Sequence, residues 1–192
     1  MGATPDHMAP SPSLEIHLEA PEHAVSDPKT WPVYLTPEFS LTLKELEERL
    51  KKHHVSVTWY MLGFIAHLYP EIPERLLKAG HHLGSHGYFH RHGEREGGIS
   101  DLRARRYLPE CVGYRSPFWD TTPRPGLAGG FFFRTLPYPV LKREIKRQGV
   151  LYLHPHDFYD SHLGPWTRRM FLCNPWTRLE RLLTELPFDG TR

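Results

Sequence analysis

Along the N-terminal half of the chain, hydrophobic positions recur every second residue in some segments and every third or fourth residue in others. Alternation is typical of a half-buried strand, and the longer repeat is typical of an amphipathic helix. In chain order the pattern predicts a strand from Leu14 to Glu19, a helix over 41–54, a strand over 55–62, a helix over 70–80 and a strand over 81–86. Ser40 or Thr42 can cap the first helix, and Gly80 ends the second.

The C-terminal half continues this alternation of strands and helices. The pattern predicts a weak helix near 99–108, a strand over 111–115, an irregular stretch rich in proline and glycine, a helix over 137–149, a strand over 150–154 and a last helix over 175–186. Asn174 precedes the last helix as its cap. Strands that alternate with helices predict a parallel sheet covered by helices, hence an α/β barrel or an open α/β sheet. In such folds the chemistry gathers beyond the carboxyl ends of the strands.

Length and charge fit one globular domain. The chain has 192 residues, of which 39% are hydrophobic, and this is enough for a packed core. Residues 1–12 are interpreted as a tag remnant or a disordered lead, and residues 13–192 as a single domain. The net charge of +2 is too balanced for electrostatic binding of nucleic acid. The basic run RARRYL at 103–108 is therefore interpreted as a solvated helix face.

Cysteine content and hydropathy bear on location. Cys111 and Cys173 are too few for a disulfide framework and are interpreted as reduced thiols of a cytoplasmic protein. No stretch approaches the roughly 18 apolar residues of a membrane helix, and the first residues lack the apolar segment of a signal peptide. We therefore expect no membrane span and no nucleic-acid partner, and the sequence leaves the oligomeric state open.

Polar side chains stand at the ends of four predicted strands. Glu19, His86, Arg115 and His154 occupy these positions, and we expect them to converge at one edge of the sheet. His86 belongs to a cluster of five histidines within residues 81–92. The convergence favours a metal site or a proton-transfer site over a histidine-rich surface loop. His154 on its own is equally compatible with a histidine that is hydrogen-bonded at a strand end.

His86 and His90 are four residues apart, a spacing that lets two imidazoles bind one metal ion. The alternative is a pair of hydrogen-bonded polar histidines. Ser85 beside them can hold a ring through a hydrogen bond. In a strand, His17 and Glu19 point to the same side, which makes Glu19 a candidate third ligand. The alternative there is the exposed polar face of an edge strand.

The segment GYRSPFW, residues 113–119, places Arg115 among aromatic side chains. Arg115 is either a salt-bridged structural residue or the group that orients a catalytic partner. Tyr114, Phe118 and Trp119 are candidate substrate-binding residues, because aromatic rings here offer a rigid apolar wall against which a sugar can stack.

Three segments occur in a fixed order: VTWYMLGFIAHLYPEIPERLLKAGHHLGSHGYFH, GYRSPFW and LYLHPHD. They resemble the motifs of the polysaccharide deacetylases, the NodB-homology or carbohydrate esterase 4 family. Two later segments, AGGFFFRTLPYPVL and NPWTRLERLLTELPF, are similar to the C-terminal part of a subgroup found with exopolysaccharide and lipopolysaccharide gene clusters. The resemblance runs from about Leu14 to Phe188. It implies a distorted, shortened (β/α) barrel and the metal-dependent removal of an N- or O-acetyl group from a carbohydrate.

The resemblance also assigns roles by position. His86 and His90 match the metal-binding pair, and Glu19 matches the acidic metal ligand. Arg115 resembles the arginine that orients the catalytic base, and His154 resembles the general acid. The implied cofactor is one divalent metal, with zinc as the expected ion, and the implied partner is an acetylated carbohydrate substrate.

The chain departs from the family pattern in two ways. His17 stands where the family has an aspartate as general base, and only nine residues separate Trp119 from Gly129, where relatives carry more strands and loops. We therefore expect a smaller barrel with a more open mouth. His17 can accept a proton near neutral pH, or it can close the metal's coordination shell as a further ligand. The resemblance, with these departures, thus implies a deacetylase of cell-surface polysaccharide or lipopolysaccharide biosynthesis with weakened activity, or alternatively an inactive relative that binds metal or carbohydrate.

Overall fold

The computed structural model describes residues 11–20, 23, 35–90, 97–119, 122, 124, 126–161 and 173–189. At its centre is a sheet of four parallel strands: β1 Ser13–Leu18, β2 Thr58–Met61, β3 His82–Ser85 and β4 Val150–Leu153. The strands lie in the order β3-β2-β1-β4, so β1 is an interior strand that is paired on both sides. The predicted α/β fold with a parallel sheet is confirmed.

Helices connect and flank the strands. They are α1 Pro37–Lys52, α2 Gly63–Leu68, α3 Glu71–Lys78, α4 Gly97–Arg105, α5 Phe131–Thr135, α6 Tyr138–Gln148 and α7 Pro175–Glu185, with 3₁₀ turns at Pro117–Trp119 and Pro155–Phe158. In the described part of the chain, no helix is long and apolar enough to span a membrane. Residues 1–10 of the predicted lead lie outside the described residues, whereas Pro12 is buried and its carbonyl accepts a hydrogen bond from the backbone N–H of Asp189.

The start of α1 differs from the prediction. Thr36 is the cap, and its hydroxyl accepts a hydrogen bond of 3.2 Å from the backbone N–H of Phe39. Pro37 occupies the first helical position, where its fixed φ suits the helix and its missing N–H costs nothing. Ser40 and Thr42 lie inside the helix, so the predicted caps are wrong. The predicted cap of α7 is confirmed, because the side chain of Asn174 accepts backbone hydrogen bonds from the first turn.

The predicted strand over 111–115 is wrong, because the chain pairs there over a single residue. Ser85 and Tyr114 form an isolated parallel bridge, and the backbone N–H of Arg115 donates to the carbonyl of Ser85 at 2.9 Å. The chain then turns at Pro117, which has no N–H to continue a ladder. Arg115 nevertheless reaches the carboxyl edge of the sheet.

A second isolated bridge, between Gly129 and Tyr152, extends the sheet beyond β4. In the described residues the sheet therefore has four strands and two single-residue bridges, fewer than the eight strands of a complete barrel. The bridge depends on glycine, because Gly129 has φ +150° and a Cβ there would lie 1.9 Å from the carbonyl oxygen of Tyr152.

We expect Gly129→Ala to lower the free energy of unfolding by about 2–4 kcal/mol, since it combines backbone strain with a clash against a neighbouring carbonyl. Urea denaturation measures this change. Gly98→Ala is the control, because a Cβ at Gly98 meets no atom within 4 Å. Equal stability of the two variants would show that the close approach at Gly129 does not hold the sheet edge.

The two faces of β1 are both buried but differ in chemistry. Its apolar residues, from Leu14 to Leu18, belong to the same hydrophobic core as the leucines of α1 and α7. Glu15, His17 and the following Glu19 lie on the opposite side and are only 2–4% exposed. The alternative of an exposed polar edge strand is therefore wrong, and the polar face of β1 belongs to the interior.

Candidate functional site

Three strand ends bring candidate residues together at one edge of the sheet. Glu19 follows β1, His86 follows β3 and His154 follows β4. Because the last residues of β1 and β3 both pair with Met61 of β2, Glu19 and His86 lie at the same level. His90 returns to this level after the turn that follows His86. Glu19, His86 and His90 are buried, and His154 is half-buried.

Glu19 faces the two histidines of the four-residue spacing. Its Oε2 lies 2.7 Å from Nε2 of His90 and 3.4 Å from Nε2 of His86. The ring of His86 is oriented by the backbone carbonyl of Arg115, which accepts from Nδ1 at 2.8 Å and leaves the Nε2 lone pair towards Glu19. The hydroxyl of Ser85 accepts a hydrogen bond from the backbone N–H of Gly87, and no hydrogen bond joins it to the His86 ring among the described contacts.

This set of donors fits a divalent metal ion. One ligand atom of each of Glu19, His86 and His90 lies within 4.8 Å of the others. Oε2 of Glu19 is close to two ring nitrogens but makes no well-aligned hydrogen bond to a described residue, and the buried Nδ1 of His90 also has no such partner. Burial by itself raises the pKa of the Glu19 carboxyl, but the surrounding histidines lower it well below its ordinary value. An ionised carboxylate beside two imidazoles is the ligand chemistry that zinc and similar ions prefer.

His17 lies at the centre of a group of aromatic rings. Its ring centroid is 4.7 Å from that of His86, 5.1 Å from Trp119 and 5.3 Å from His154. Burial lowers the pKa of His17 to about 3. The neighbouring His86 and His154 also lower this pKa, whereas Glu15 raises it. The imidazole is therefore neutral at pH 7. Among the described residues, two groups of possible metal ligands include Glu19, and His17 belongs to neither group.

Arg115 holds Glu15, a residue that the sequence interpretation missed. The guanidinium donates from Nε to Oε2 of Glu15 at 2.9 Å and from Nη2 to Oε1 at 2.5 Å. Oε2 of Glu15 in turn lies 3.9 Å from Nε2 of His17, slightly beyond hydrogen-bond distance. Burial by itself raises the pKa of the Glu15 carboxyl, but His17 and Arg115 lower it. An ionised carboxylate therefore stands between the arginine and the imidazole.

Asp157, which was also not predicted, orients His154. Its Oδ2 accepts from the backbone N–H of His154 at 2.7 Å and from Nδ1 of the ring at 3.2 Å. Nε2 of His154 then faces Oε1 of Glu19 at 3.4 Å. Burial by itself lowers the pKa of His154, but the carboxylates of Asp157 and Glu19 raise it above its ordinary value. His154 therefore carries a proton more readily than His17 or His86, whose pKa values burial lowers.

Aromatic side chains form one wall of the site. The ring of Phe118 lies 4.3 Å from that of His90, and the ring of Trp119 lies 5.1 Å from that of Tyr152. Phe118 and Trp119 are half-buried and stand beside the histidines. Tyr114 is also half-buried and is placed by its backbone bridge to the end of β3. A groove of about 1060 Å³ lies elsewhere, between α1 and α3, and none of these residues lines it.

Comparison with known proteins shows a similarity over part of the chain. Residues 33–111 match the family model described as polysaccharide deacetylase. Over these residues the chain is similar to the polysaccharide deacetylase family. Over 54 residues it is 39% identical to a peptidoglycan-N-acetylglucosamine deacetylase of Bacillus cereus, a match that covers 28% of this chain and 19% of that protein. The chain therefore spans about a fifth of the length of this curated relative.

Solved structures support the fold. A polysaccharide deacetylase structure from Mycobacterium smegmatis shares 15% identity and has a TM-score of 0.59, with 96% of this chain and 87% of that chain covered. A mutant of BA3943 from Bacillus anthracis, described as a carbohydrate esterase 4 pseudoenzyme with restored activity, shares 16% identity and has a TM-score of 0.55. The match covers 90% of this chain and 61% of that chain. An acetyl xylan esterase from Clostridium thermocellum with a cobalt ion shares 13% identity and has a TM-score of 0.53. The match covers 88% of this chain and 83% of that chain.

The family match covers only part of the candidate site. Residues 33–111 include His86 and His90, whereas Glu19, Arg115 and His154 lie outside the match. In this chain, the latter three are brought to the two histidines by the sheet and by the turns that follow its strands.

Proposed function

We propose that this chain is a polysaccharide deacetylase that hydrolyses an N- or O-acetyl group of a carbohydrate with one divalent metal held by Glu19, His86 and His90. The observation that carries the proposal is the buried carboxylate of Glu19, with two imidazoles beside it. Zinc is the expected ion, because one carboxylate and two imidazoles are the donors that would hold it in a catalytic site. The named relatives act on acetylated sugars by their descriptions, which supports the same substrate class for this chain.

His17 is the proposed general base. When bound, a divalent metal supplies a Lewis acid that activates water and polarises the acetyl carbonyl. His17 is neutral and lies beside His86, so it can accept the proton that the attacking water loses, but its pKa of about 3 makes it a weak base, in line with weakened activity. With Nε2 towards Glu15, Nδ1 is the nitrogen left to take that proton.

Glu15 and Arg115 position this base. A guanidinium cannot accept the N–H of an imidazole, but a carboxylate can. Arg115 fixes Glu15 through two hydrogen bonds, and Glu15 is the group that can accept from Nε2 of His17. The present separation of 3.9 Å needs to shorten by about 1 Å, and such tightening is common when a substrate completes a site.

His154 is the proposed general acid. Asp157 holds Nδ1, so Nε2 is the atom that delivers a proton to the departing amine or alkoxide. Phe118 and Trp119 offer an apolar wall for the sugar ring, with Tyr114 as a further candidate contact. These assignments give each polar residue of the site one task.

Metal content tests the proposed ligands. We expect wild-type protein to hold about one zinc ion per chain, and His86→Ala and His90→Ala each to fall well below about half an ion, because two remaining ligands bind zinc weakly. Elemental analysis after dialysis measures this. His82→Ala, at the opposite end of β3, is the control and should keep the metal. Full metal content in both site variants would remove the proposed centre.

An inactive binding protein is the second candidate function. Nε2 of His17 is buried without a hydrogen bond to a described residue, so the base is not yet oriented in this structure. One similar structure is itself described as a pseudoenzyme. Acetate release by metal-loaded protein from acetylated chitooligosaccharides and acetylated xylan separates the two functions. Binding of metal and sugar without acetate release favours the binding protein.

The biological setting proposed from the sequence is cell-surface polysaccharide or lipopolysaccharide biosynthesis in the cytoplasm. It is supported by the resemblance of residues 128–141 and 174–188 to the subgroup found with such gene clusters. Neither Cys111 nor Cys173 forms a disulfide, which agrees with a reducing compartment.

A further inference from the structure

We propose that Glu19, His154 and His156 form a second divalent-metal site, which shares Glu19 with the first and is filled at higher metal concentration. His156 takes no part in the reaction proposed above. One ligand atom of each of the three residues lies within 4.8 Å of the other two, and all three residues are buried or half-buried. A carboxylate with two imidazoles is again a ligand set that suits zinc.

The two oxygens of Glu19 face two different sets of imidazoles. Oε2 lies 2.7 Å from Nε2 of His90 and 3.4 Å from Nε2 of His86. Oε1 lies 3.4 Å from Nε2 of His154, on the other side of the carboxylate. A carboxylate placed in this way can bind one ion through each oxygen, as bridging carboxylates do in two-metal sites.

The turn Pro155–Phe158 holds the two additional imidazoles together. The rings of His154 and His156 are stacked, with centroids 4.6 Å apart and planes inclined by 16°. Asp157 accepts from Nδ1 of His154 and directs its Nε2 towards Glu19. A carboxylate that holds the far nitrogen of a histidine is the usual support of a metal-ligating imidazole.

The charges of the described residues make the second site the weaker one. Glu19 is the only carboxylate that both sites share, and an ion in the first site already neutralises it. Glu15 is engaged by Arg115, and Asp157 is engaged by His154. A second ion therefore meets a Glu19 carboxylate whose negative charge the first ion has already neutralised. It binds mainly through His154 and His156.

Occupation of the second site has a consequence that rests on the proposed function. As a ligand, Nε2 of His154 has no lone pair left to carry a proton to the leaving group. Excess zinc should therefore inhibit acetate release, whereas the first equivalent supports it.

Zinc titration of the metal-free protein tests the proposal without reference to activity. By isothermal titration calorimetry and equilibrium dialysis, we expect about two ions per chain for the wild type, one tight and one weaker. His156→Ala and His156→Gln should each bind only about one ion, the tight one. His82→Ala, which removes a half-buried histidine at the far end of β3, should still bind two. Circular dichroism shows whether each variant is folded.

The outcomes separate this proposal from the proposed function. Saturation of the wild type at one ion, or loss of the weaker ion in His82→Ala but not in the His156 variants, overturns the second site. Failure of the metal-loaded protein to release acetate overturns the proposed function and leaves the ion count standing. If the protein is active, the zinc concentration for half-inhibition should rise at least about tenfold in His156→Gln.

Discussion

Replacement of Glu15 by glutamine is expected to lower kcat for deacetylation by about 10²–10³-fold, with KM and bound metal nearly unchanged. Glutamine keeps the size of the side chain but removes the charge that engages Arg115 and that can accept from Nε2 of His17. The base then loses its orientation while the metal ligands stay in place. Steady-state kinetics on an acetylated oligosaccharide, with elemental analysis of the same samples, measure the effect.

The surface of the protein offers a matched control for this variant. Glu47 is held by Arg75 in the same two-pronged way, with Nε to Oε2 at 2.9 Å and Nη2 to Oε1 at 2.8 Å, away from the site. Glu47→Gln should leave kcat unchanged. Glu15→Asp keeps the charge and should recover part of the activity. A loss of kcat that parallels a loss of thermal stability, with no recovery in Glu15→Asp, would show that the pair is structural.

His154→Gln is expected to lower kcat for an N-acetylated sugar by about 10²–10⁴-fold, because the departing amine then leaves without a proton. The effect should nearly vanish with 4-nitrophenyl acetate, whose phenolate leaves without protonation. This contrast isolates proton delivery from any general damage to the site. Acetate release and nitrophenolate absorbance are measured on the same metal-loaded protein.

His53 provides the control for that experiment. It is hydrogen-bonded to Glu180 at 2.7 Å, and its side chain is 17% exposed, against 15% for His154. His53→Gln should have full activity on both substrates. An equal loss of activity on both substrates in His154→Gln would show that His154 shapes the site but does not donate the proton.

Secondary structure was predictable where the local hydrophobic pattern was enough to define the element. The alternation from Leu14 to Glu19 and the leucine repeat of α1 predicted their elements, because burial on one face needs only local periodicity. The six residues of α2 are too few to show a helical period. The segment 111–115 has the composition of a strand, but only Tyr114 pairs in it, and tertiary position decides such a case.

The candidate site was predictable to the level of strand ends. Glu19, His86 and His154 meet because the carboxyl ends of parallel strands share one edge, and their roles stay proposals. Glu15 could have been found, since the same alternation puts it on the side of His17. Its partnership with Arg115 could not, because 100 residues separate the two in the chain. The position of Asp157 could not be predicted, because it lies in a turn, and a turn has no hydrophobic periodicity.

The central position of β1 divides the site into a fixed part and an adjustable part. A strand that is hydrogen-bonded on both sides and buried on both faces opens only when the whole molecule unfolds, so its amides belong to the slowest-exchanging class. Glu15 and His17 therefore sit on a backbone that is hydrogen-bonded on both sides. Arg115, by contrast, joins the sheet next to a single-residue bridge. The distance between Glu15 and His17 is therefore expected to shorten by side-chain rotation guided by Arg115. The backbone of β1 stays in place during this change.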